Sequence, residues 1–346
     1  MINIHNTNNS KFTREKQTIL VTGGAGYVGS ILIRRLLQNG YQVLCVDCLR
    51  YGGRSLIDIW DNPDFVFLNS DITHHEEVDD NFKKYKIDGI VHLAAIVGDP
   101  ACKLEPDLAR RTNLDASIHL MENAKIFGIP RFIFASTCSN YGKMKDSDGF
   151  VDETSPLNPV SLYAELKVSF EKLLLNQESR VQGFSPTVLR FSTVYGMSPR
   201  MRFDLTVNEF TKEFALGREL VVYGENYWRP YCHVGDFSQA ILAVLNAPEE
   251  KVAYNVFNVG DSTQNYTKKM IIDELIKQIP EASVRYVQGG EDPRDYRVIF
   301  DKIMNTLGFN ITKTVPEGIR DILSCIYQGV INNPDDPIYY NIPIHR

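Results

Sequence analysis

No apolar run in this chain of 346 residues approaches the roughly 18 needed to cross a bilayer, so no membrane role is expected. The opening stretch Met1–Gln17, rich in Asn and Lys, lacks the apolar core of a secretion signal, and a cytoplasmic protein is expected. Positive charge is scarce: 37 Lys and Arg stand against 43 Asp and Glu, for a net charge of −6, and no basic stripe offers itself to nucleic acid. The six cysteines (Cys45, Cys48, Cys102, Cys138, Cys232, Cys325) are scattered, which predicts free thiols. Cys45-Val46-Asp47-Cys48 has redox or zinc spacing, but its first Cys falls in an apolar strand and no second pair completes a tetrahedral set. The seven histidines show no ligand spacing either, so no metal is expected. Internal repeats and low-complexity linkers are also missing. What remains is an ordinary globular composition, 43% hydrophobic and 23% charged, in a chain long enough for one large α/β unit plus a smaller lobe.

The first half alternates short β-branched runs with longer helical patterns, the rhythm of a parallel sheet with crossover helices. Strands are predicted at Ile19–Thr22, Val43–Val46, Phe65–Leu68, Ile90–Leu93, Phe132–Ala135 and Thr187–Phe191, with helices at Ser30–Gln38, Asp107–Lys125 and Tyr163–Leu175. Their continuous apolar character predicts burial on both faces. Beyond Tyr195 the rhythm loosens, with a loop expected through Gly224–Pro230. Val256–Val259 then reads as another sheet strand, followed by a helix at Lys268–Gln278, a strand at Val284–Val287, a helix near Pro316–Tyr327 and an extended tail through Asn333–Pro343.

Gly24-Ala25-Gly26-Tyr27-Val28-Gly29 fits G-x-G-x-x-G between a predicted strand and a predicted helix. In that setting the glycines permit a tight turn and close backbone approach to a pyrophosphate, and the helix start supplies free N–H donors. Asp47, at the end of the second strand about 20 residues on, is placed to accept hydrogen bonds from an adenosine ribose and to repel a 2′-phosphate, which favours NAD over NADP. Tyr163 and Lys167, four residues apart, share one face of a helix. A free tyrosine, with a pKa near 10, is a poor base, and a neighbouring Lys⁺ together with an oxidised nicotinamide would lower it. The preceding strand ends in the hydroxyl-rich run Ser136-Thr137-Cys138-Ser139-Asn140-Tyr141-Gly142, at the carboxyl end of the sheet where such folds bind ligands.

Thr22–Gly29, Asp47, Asp71-Ile72, His92-Leu93-Ala94-Ala95, Asn113, Ser136–Gly142, Tyr163/Lys167 and Arg190–Gly196 together resemble the extended short-chain dehydrogenase/reductase family, in particular its nucleotide-sugar epimerases and dehydratases. The resemblance runs from about Thr18 to Phe309. It implies a Rossmann-type doubly wound parallel sheet with a smaller C-terminal α+β substrate lobe, tightly held NAD, and a homodimer built on the helices near Asp107–Lys125 and Tyr163–Leu175. It implies Tyr163 as base, Lys167 as holder of the nicotinamide ribose, and Thr137 as the hydroxyl sharing the substrate proton. Gly23, Gly24, Gly26, Tyr27, Val28, Gly29, Asp47, Asp71, Ile72, Leu93, Ala94, Ala95, Asn113 and Ser136, with Tyr163 and Lys167, would hold the cofactor. The units implied are an extension at 1–17, a cofactor domain at 18–194 joined by about 231–261, a sugar-nucleotide lobe at 195–230 and 262–330, and a tail at 331–346.

Ser198–Leu205 crowds Arg200 and Arg202 into one loop, and guanidinium forks suit a nucleoside diphosphate. By resemblance Arg229 would bind that diphosphate, Arg294 would enter the nucleotide pocket, and Asn208 would sit near the sugar phosphate. Ser139 and Thr193 complete the expected substrate set, Thr193 standing where many members carry Asn. The 4,6-dehydratases carry an Asp-Glu pair after the catalytic Thr, where this chain has Cys138 and Ser139, neither suited to removing water. The reading is therefore an NAD-dependent oxidoreductase or epimerase acting on a ring hydroxyl, at C4, of a nucleoside-diphosphate sugar. Ser198–Asn208 is similar to a subgroup oxidising nucleotide-linked heptoses, which points to surface-polysaccharide or deoxysugar synthesis. The alternatives are a 4,6-dehydratase and a non-catalytic NAD-binding redox sensor.

Overall fold

The computed structural model describes residues 15–144, 149–289 and 292–341; most of the N-terminal extension 1–17 and the end of the tail, 342–346, lie outside them. In chain order the cofactor half comprises β1 (Thr18–Thr22), α1 (Tyr27–Gln38), β2 (Gln42–Asp47), β3 (Phe65–Asn69), α2 (His75–Lys84), β4 (Gly89–His92), α3 (Asp99–Leu104), α4 (Pro106–Arg110), α5 (Ala116–Ile126), β5 (Arg131–Thr137), α6 (Leu162–Leu174) and β6 (Ser185–Phe191). The rest comprises β7 (Thr193–Tyr195), α7 (Thr206–Ala215), β8 (Leu220–Tyr223), β9 (Trp228–His233), α8 (Val234–Asn246), α9 (Glu249–Val252), β10 (Asn255–Val259), β11 (Asn265–Thr267), α10 (Lys268–Gln278), β12 (Val284–Val287), α11 (Asp301–Leu307) and α12 (Val315–Tyr327).

Seven strands form a parallel sheet in the order β10-β6-β5-β4-β1-β2-β3. Successive side chains alternate between two apolar layers: Ile19, Val21, Val43, Cys45 and Ile133 enter one, and Leu20, Leu44, Val46, Phe132 and Phe134 the other. That two-sided burial explains why these strands read as unbroken apolar runs. Strand order reverses between β1 and β4, opening a crevice at their carboxyl ends, the place where such sheets bind ligands.

Several expected boundaries move. Helix α1 starts at Tyr27 rather than Ser30, because extended Gly26 caps it and Gly29 is accommodated inside its first turn. The continuous helix expected over Asp107–Lys125 is α4, a π turn at Arg111–Asp115, and α5. The loop expected through Gly224–Pro230 ends early: Trp228, Arg229 and Pro230 belong to β9, held in register against Thr267, Tyr266 and Asn265 of β11.

A separate core gathers Tyr195, Val207, Phe210, Phe214, Leu220, Tyr231, Ile271, Ile272, Leu275, Val315 and Ile319 between α7, α10, α12 and two small sheets, β11-β9-β7 and β12-β8. Helix α12 begins in a capping box, Thr314 and Glu317 exchanging side-chain and backbone hydrogen bonds. Past it the chain doubles back. Ile331 is buried, Phe203 N–H donates to the Tyr339 carbonyl at 2.9 Å, and Asp335 pairs with Lys212 and Arg218.

Candidate active site

The site grows out of the turn between β1 and α1. Gly23 has φ +73°, and a Cβ there would lie 2.8 Å from Ala94 N; one on Gly29 would lie 2.3 Å from the Gly23 carbonyl. Only hydrogen fits at either place, so backbone meets backbone and the first N–H groups of α1 face a cleft of about 540 Å³. Asp47 is held by two backbone donors, Ala25 N–H to Oδ2 at 3.0 Å and Leu49 N–H to Oδ1 at 2.8 Å. Burial nevertheless pushes its carboxyl up. Asp71, oriented by Thr73 at 2.8–2.9 Å, and Ile72 line the same end of the cleft. A glycine cradle closed to any Cβ, a helix start and an anchored carboxylate fit a dinucleotide.

The opposite rim, Leu93-Ala94-Ala95, is set by a buried chain that composition gave no reason to single out. Ala94 N–H donates to Thr22 Oγ1 (3.2 Å), which lies 2.7 Å from His92 Nδ1, while Nε2 lies 2.8 Å from Ser117 Oγ. Because Ser117 donates to the Asn113 carbonyl (3.0 Å), its oxygen is left to accept from Nε2–H, and one neutral tautomer satisfies every partner. Burial pushes His92 down from 6.5 to about 3. The unfolded chain takes up this proton near 6.5 while the folded one resists until about 3, so acidification across that window favours unfolding. His92→Gln is expected to show a smaller drop in melting temperature between pH 7 and pH 5 than the parent chain. Equal drops would remove His92 as the cause.

Tyr163, Lys167, Thr137 and Ser136 all line the cleft. Ser161 caps α6 through Ala164 N–H (3.3 Å), which sets Tyr163 in the first turn. Lys167 Nζ donates to the Ala135 carbonyl at 2.7 Å and lies 5.8 Å from the Tyr163 ring centre. Burial brings this Lys down to about 8. Before any cofactor charge is added, burial, reinforced by Cys102 and Asp99, pushes Tyr163 above its ordinary value, and the counter-pull comes from Arg202. Thr137 Oγ1 accepts from Ser139 N–H at 3.1 Å, so this hydroxyl also caps the turn that follows β5.

Behind this row lies an ion pair missed by sequence reasoning, although Glu171, four residues past Lys167, shares its helix face. Glu171 accepts from Ser136 Oγ, from Asn140 Nδ2 (2.8 Å) and from Arg190 (2.7 Å), and Arg190 donates to Tyr141 OH (3.1 Å). Tyr141 OH in turn donates to Asn258 Oδ1 at 2.8 Å, tying β5, β6, β10 and α6 together.

Of the expected substrate side chains, Ser139, Thr193, Arg200, Arg202 and Arg294 reach the cleft. Arg202 is forked onto Asp204 (2.9 and 2.8 Å), and Arg294 binds both Asp292 (3.0 Å) and Asp99 (3.2 Å). Gly24, Asn113, Asn208 and Arg229 do not line it, for identifiable reasons. Gly24 packs against Cys45 and Ile33. Asn113 is spent on both backbone groups of Ile96 (2.8 and 2.9 Å). Asn208 is spent on Gly196 N–H, Tyr27 OH and the Arg202 carbonyl. Arg229, in β9, pairs with Asp292 at 2.7 Å and lies over the Tyr296 ring. Asp99, Tyr51 and Asn341 line the cleft without having been singled out, since only distant packing brings them there.

A glycine turn at the switch point of a doubly wound sheet, with Tyr and Lys on a helix beside it, defines a dinucleotide-dependent enzyme of the Rossmann class. The family model for the NAD dependent epimerase/dehydratase family matches residues 19–260, and the chain belongs to that family, with NAD as cofactor. It is 31% identical over 332 residues to a dTDP-glucose 4,6-dehydratase of Neisseria gonorrhoeae, covering 89% of this chain and 95% of that one. It is 31% identical to a UDP-glucose 4-epimerase of Lacticaseibacillus casei, covering 71% of this chain and 76% of the relative. Among solved structures, Thermus thermophilus UDP-glucose 4-epimerase in complex with NAD superposes with a TM-score of 0.77 at 26% identity, over 91% of this chain and 100% of the other.

Proposed function

We propose that this protein oxidises a ring hydroxyl, the one at C4, of a nucleoside-diphosphate sugar, yielding either the 4-epimer or the free keto sugar. NAD, when bound, supplies the hydride acceptor. Tyr163 removes the hydroxyl proton, Thr137 Oγ1 orients that hydroxyl, and Lys167 holds the nicotinamide ribose. Arg294, Arg202, Ser139 and Thr193 hold the sugar nucleotide.

The observation that carries this reading is the chemistry beside Thr137. Cys138 is fully buried, donates to the Arg190 carbonyl at 3.2 Å and is pushed up by burial, so it offers no acid. Of the carboxylates lining the cleft, Asp47 and Asp71 belong to the adenosine end, while Asp204 and Asp99 are paired with Arg202 and Arg294. Removal of water from a sugar needs a free acid and base, and the described residues beside Thr137 offer no unpaired carboxylate for it. The second reading, a 4,6-dehydratase, is favoured by the Neisseria relative.

Purified protein mixed with a panel of UDP- and dTDP-sugars separates the outcomes by nicotinamide absorbance and product mass. Unchanged mass with a new diastereomer marks an epimerase, and loss of two hydrogens with accumulated NADH marks a dehydrogenase. Loss of water would overturn the proposal. Asp47→Ala is expected to weaken NAD by about tenfold or more, from about 1.5–3 kcal/mol of charged hydrogen bonding, and to narrow its advantage over NADP. An unchanged preference in titration would reject the ribose contact. Pairing of two copies through α5 and α6, supported by exposed Ile126 and Leu173, is checked by light scattering.

A further inference from the structure

The loop after β7 is seated on the start of α1. Tyr27 OH donates to the Gly196 carbonyl at 2.5 Å, and Ser198 Oγ donates to the Tyr27 carbonyl at 2.7 Å and lies 3.0 Å from Ser30 Oγ. Asn208 closes the loop's far end by joining Tyr27 OH to the Arg202 carbonyl at 3.1 and 2.8 Å. Arg200 lies between these ties, lines the cleft, and is only 6% exposed. It faces Tyr51, the guanidinium carbon 4.6 Å from the ring centre, just past Asp47 on the adenosine side.

Arg200 differs from the other cleft arginines in its partners. Arg202 and Arg294 each hold a carboxylate, whereas Arg200 has no carboxylate partner among the described residues. It makes one long hydrogen bond, 3.3 Å, to the Tyr340 carbonyl, and its Nε is buried without a partner. Burial, reinforced by Arg202, pulls it down to about 10. A helix start carries partial positive charge. A buried guanidinium that shares this cleft with such a helix start and holds no carboxylate of its own is unfavourable until an anion arrives.

We propose that Arg200 is a diphosphate clamp acting on the bound dinucleotide, closing from the loop after β7 on the group that the glycine turn holds from the other side. The clamp is thus supplied by the chain beyond the dinucleotide motif, and cofactor binding couples the two lobes through Tyr27. The proposal depends on the cofactor and is independent of which sugar reaction follows.

The nucleotide sugar also carries a diphosphate, so the test separates the two sources. Arg200→Gln and Arg200→Lys, in the full chain freed of bound nucleotide, are titrated by calorimetry with NAD and, separately, with UDP. Arg200→Gln is expected to weaken NAD at least tenfold, Arg200→Lys to stay within about threefold, and UDP to change little with either. Unchanged NAD affinity in Arg200→Gln would overturn the clamp. So would equal losses for Gln and Lys, which would mark a packing role against Tyr51, or a loss confined to UDP, which would move the clamp to the substrate. Melting curves of the ligand-free variants check folding. If Arg200→Gln does not fold, the salt dependence of NAD binding to the parent and Arg200→Lys chains decides: a phosphate contact requires weakening with salt, and a flat response overturns the proposal.

Discussion

Tyr163→Phe is expected to reduce turnover by roughly a hundredfold to ten-thousandfold, the range lost with a positioned proton acceptor, while NAD affinity and melting temperature stay close to those of the parent chain. The phenol oxygen is the only atom removed, and no hydrogen bond from it is needed to hold α6, whose first turn is capped by Ser161. Steady-state rates on the sugar nucleotide identified by the panel, with NAD titration alongside, check both halves. Near-normal turnover would reject Tyr163 as the base. Burial holds this phenol high, with Asp99 and Cys102 adding to the effect. The positive charge of an oxidised nicotinamide, when bound, would favour the phenolate.

Glu171→Ala is expected to cost about 3–5 kcal/mol of stability, because it strands the buried Arg190 guanidinium. For a chain of this size that corresponds to a fall of about 4–7 °C in melting temperature. Glu171→Met combined with Arg190→Met is expected to lose less than the sum of the single losses, since the pair is removed rather than broken. Denaturant melts of the three variants give the comparison, and strict additivity would show that the two side chains do not depend on each other. A lower kcat is expected even in variants that fold. Glu171 fixes Ser136 and Asn140, which flank Thr137 on the strand end and turn that face the cleft.

Much of the fold was legible because parallel α/β order leaves a local signature. Runs such as Ile19–Thr22 and Phe132–Ala135 are apolar on every residue, since both faces of the sheet are covered. The glycine turn, Asp47 and the Tyr163/Lys167 spacing were equally legible, each being a short pattern whose geometry depends on neighbours within one turn or one strand end. The π turn at Arg111–Asp115 was not, because nothing local marks it; Asn113 faces inward there to hold Ile96. The small sheets were also hidden, since strands of three to six residues such as β7, β9 and β11 exist by pairing with partners far along the chain.

The arginines show the division most clearly. Sequence offered Arg200 and Arg202 on their chemistry and Arg229 and Arg294 by resemblance, and it gave all four the same kind of role, as ligands of a phosphate or nucleotide. Arg202 and Arg294 pair with carboxylates two residues along the chain, Asp204 and Asp292, whereas long-range packing set Asp292 beside Arg229 and brought the Tyr51 ring and a carbonyl of the returning C-terminal segment to Arg200. Local sequence thus determined the glycine turn, the Tyr163/Lys167 pair and the parallel sheet, because short-range geometry and hydrophobic periodicity suffice for those. Tertiary structure decided that Arg229 is neutralised from across the chain and that Arg200 is left without a carboxylate among the described residues, because the field at a buried group is set by whatever partners the fold brings within a few ångströms.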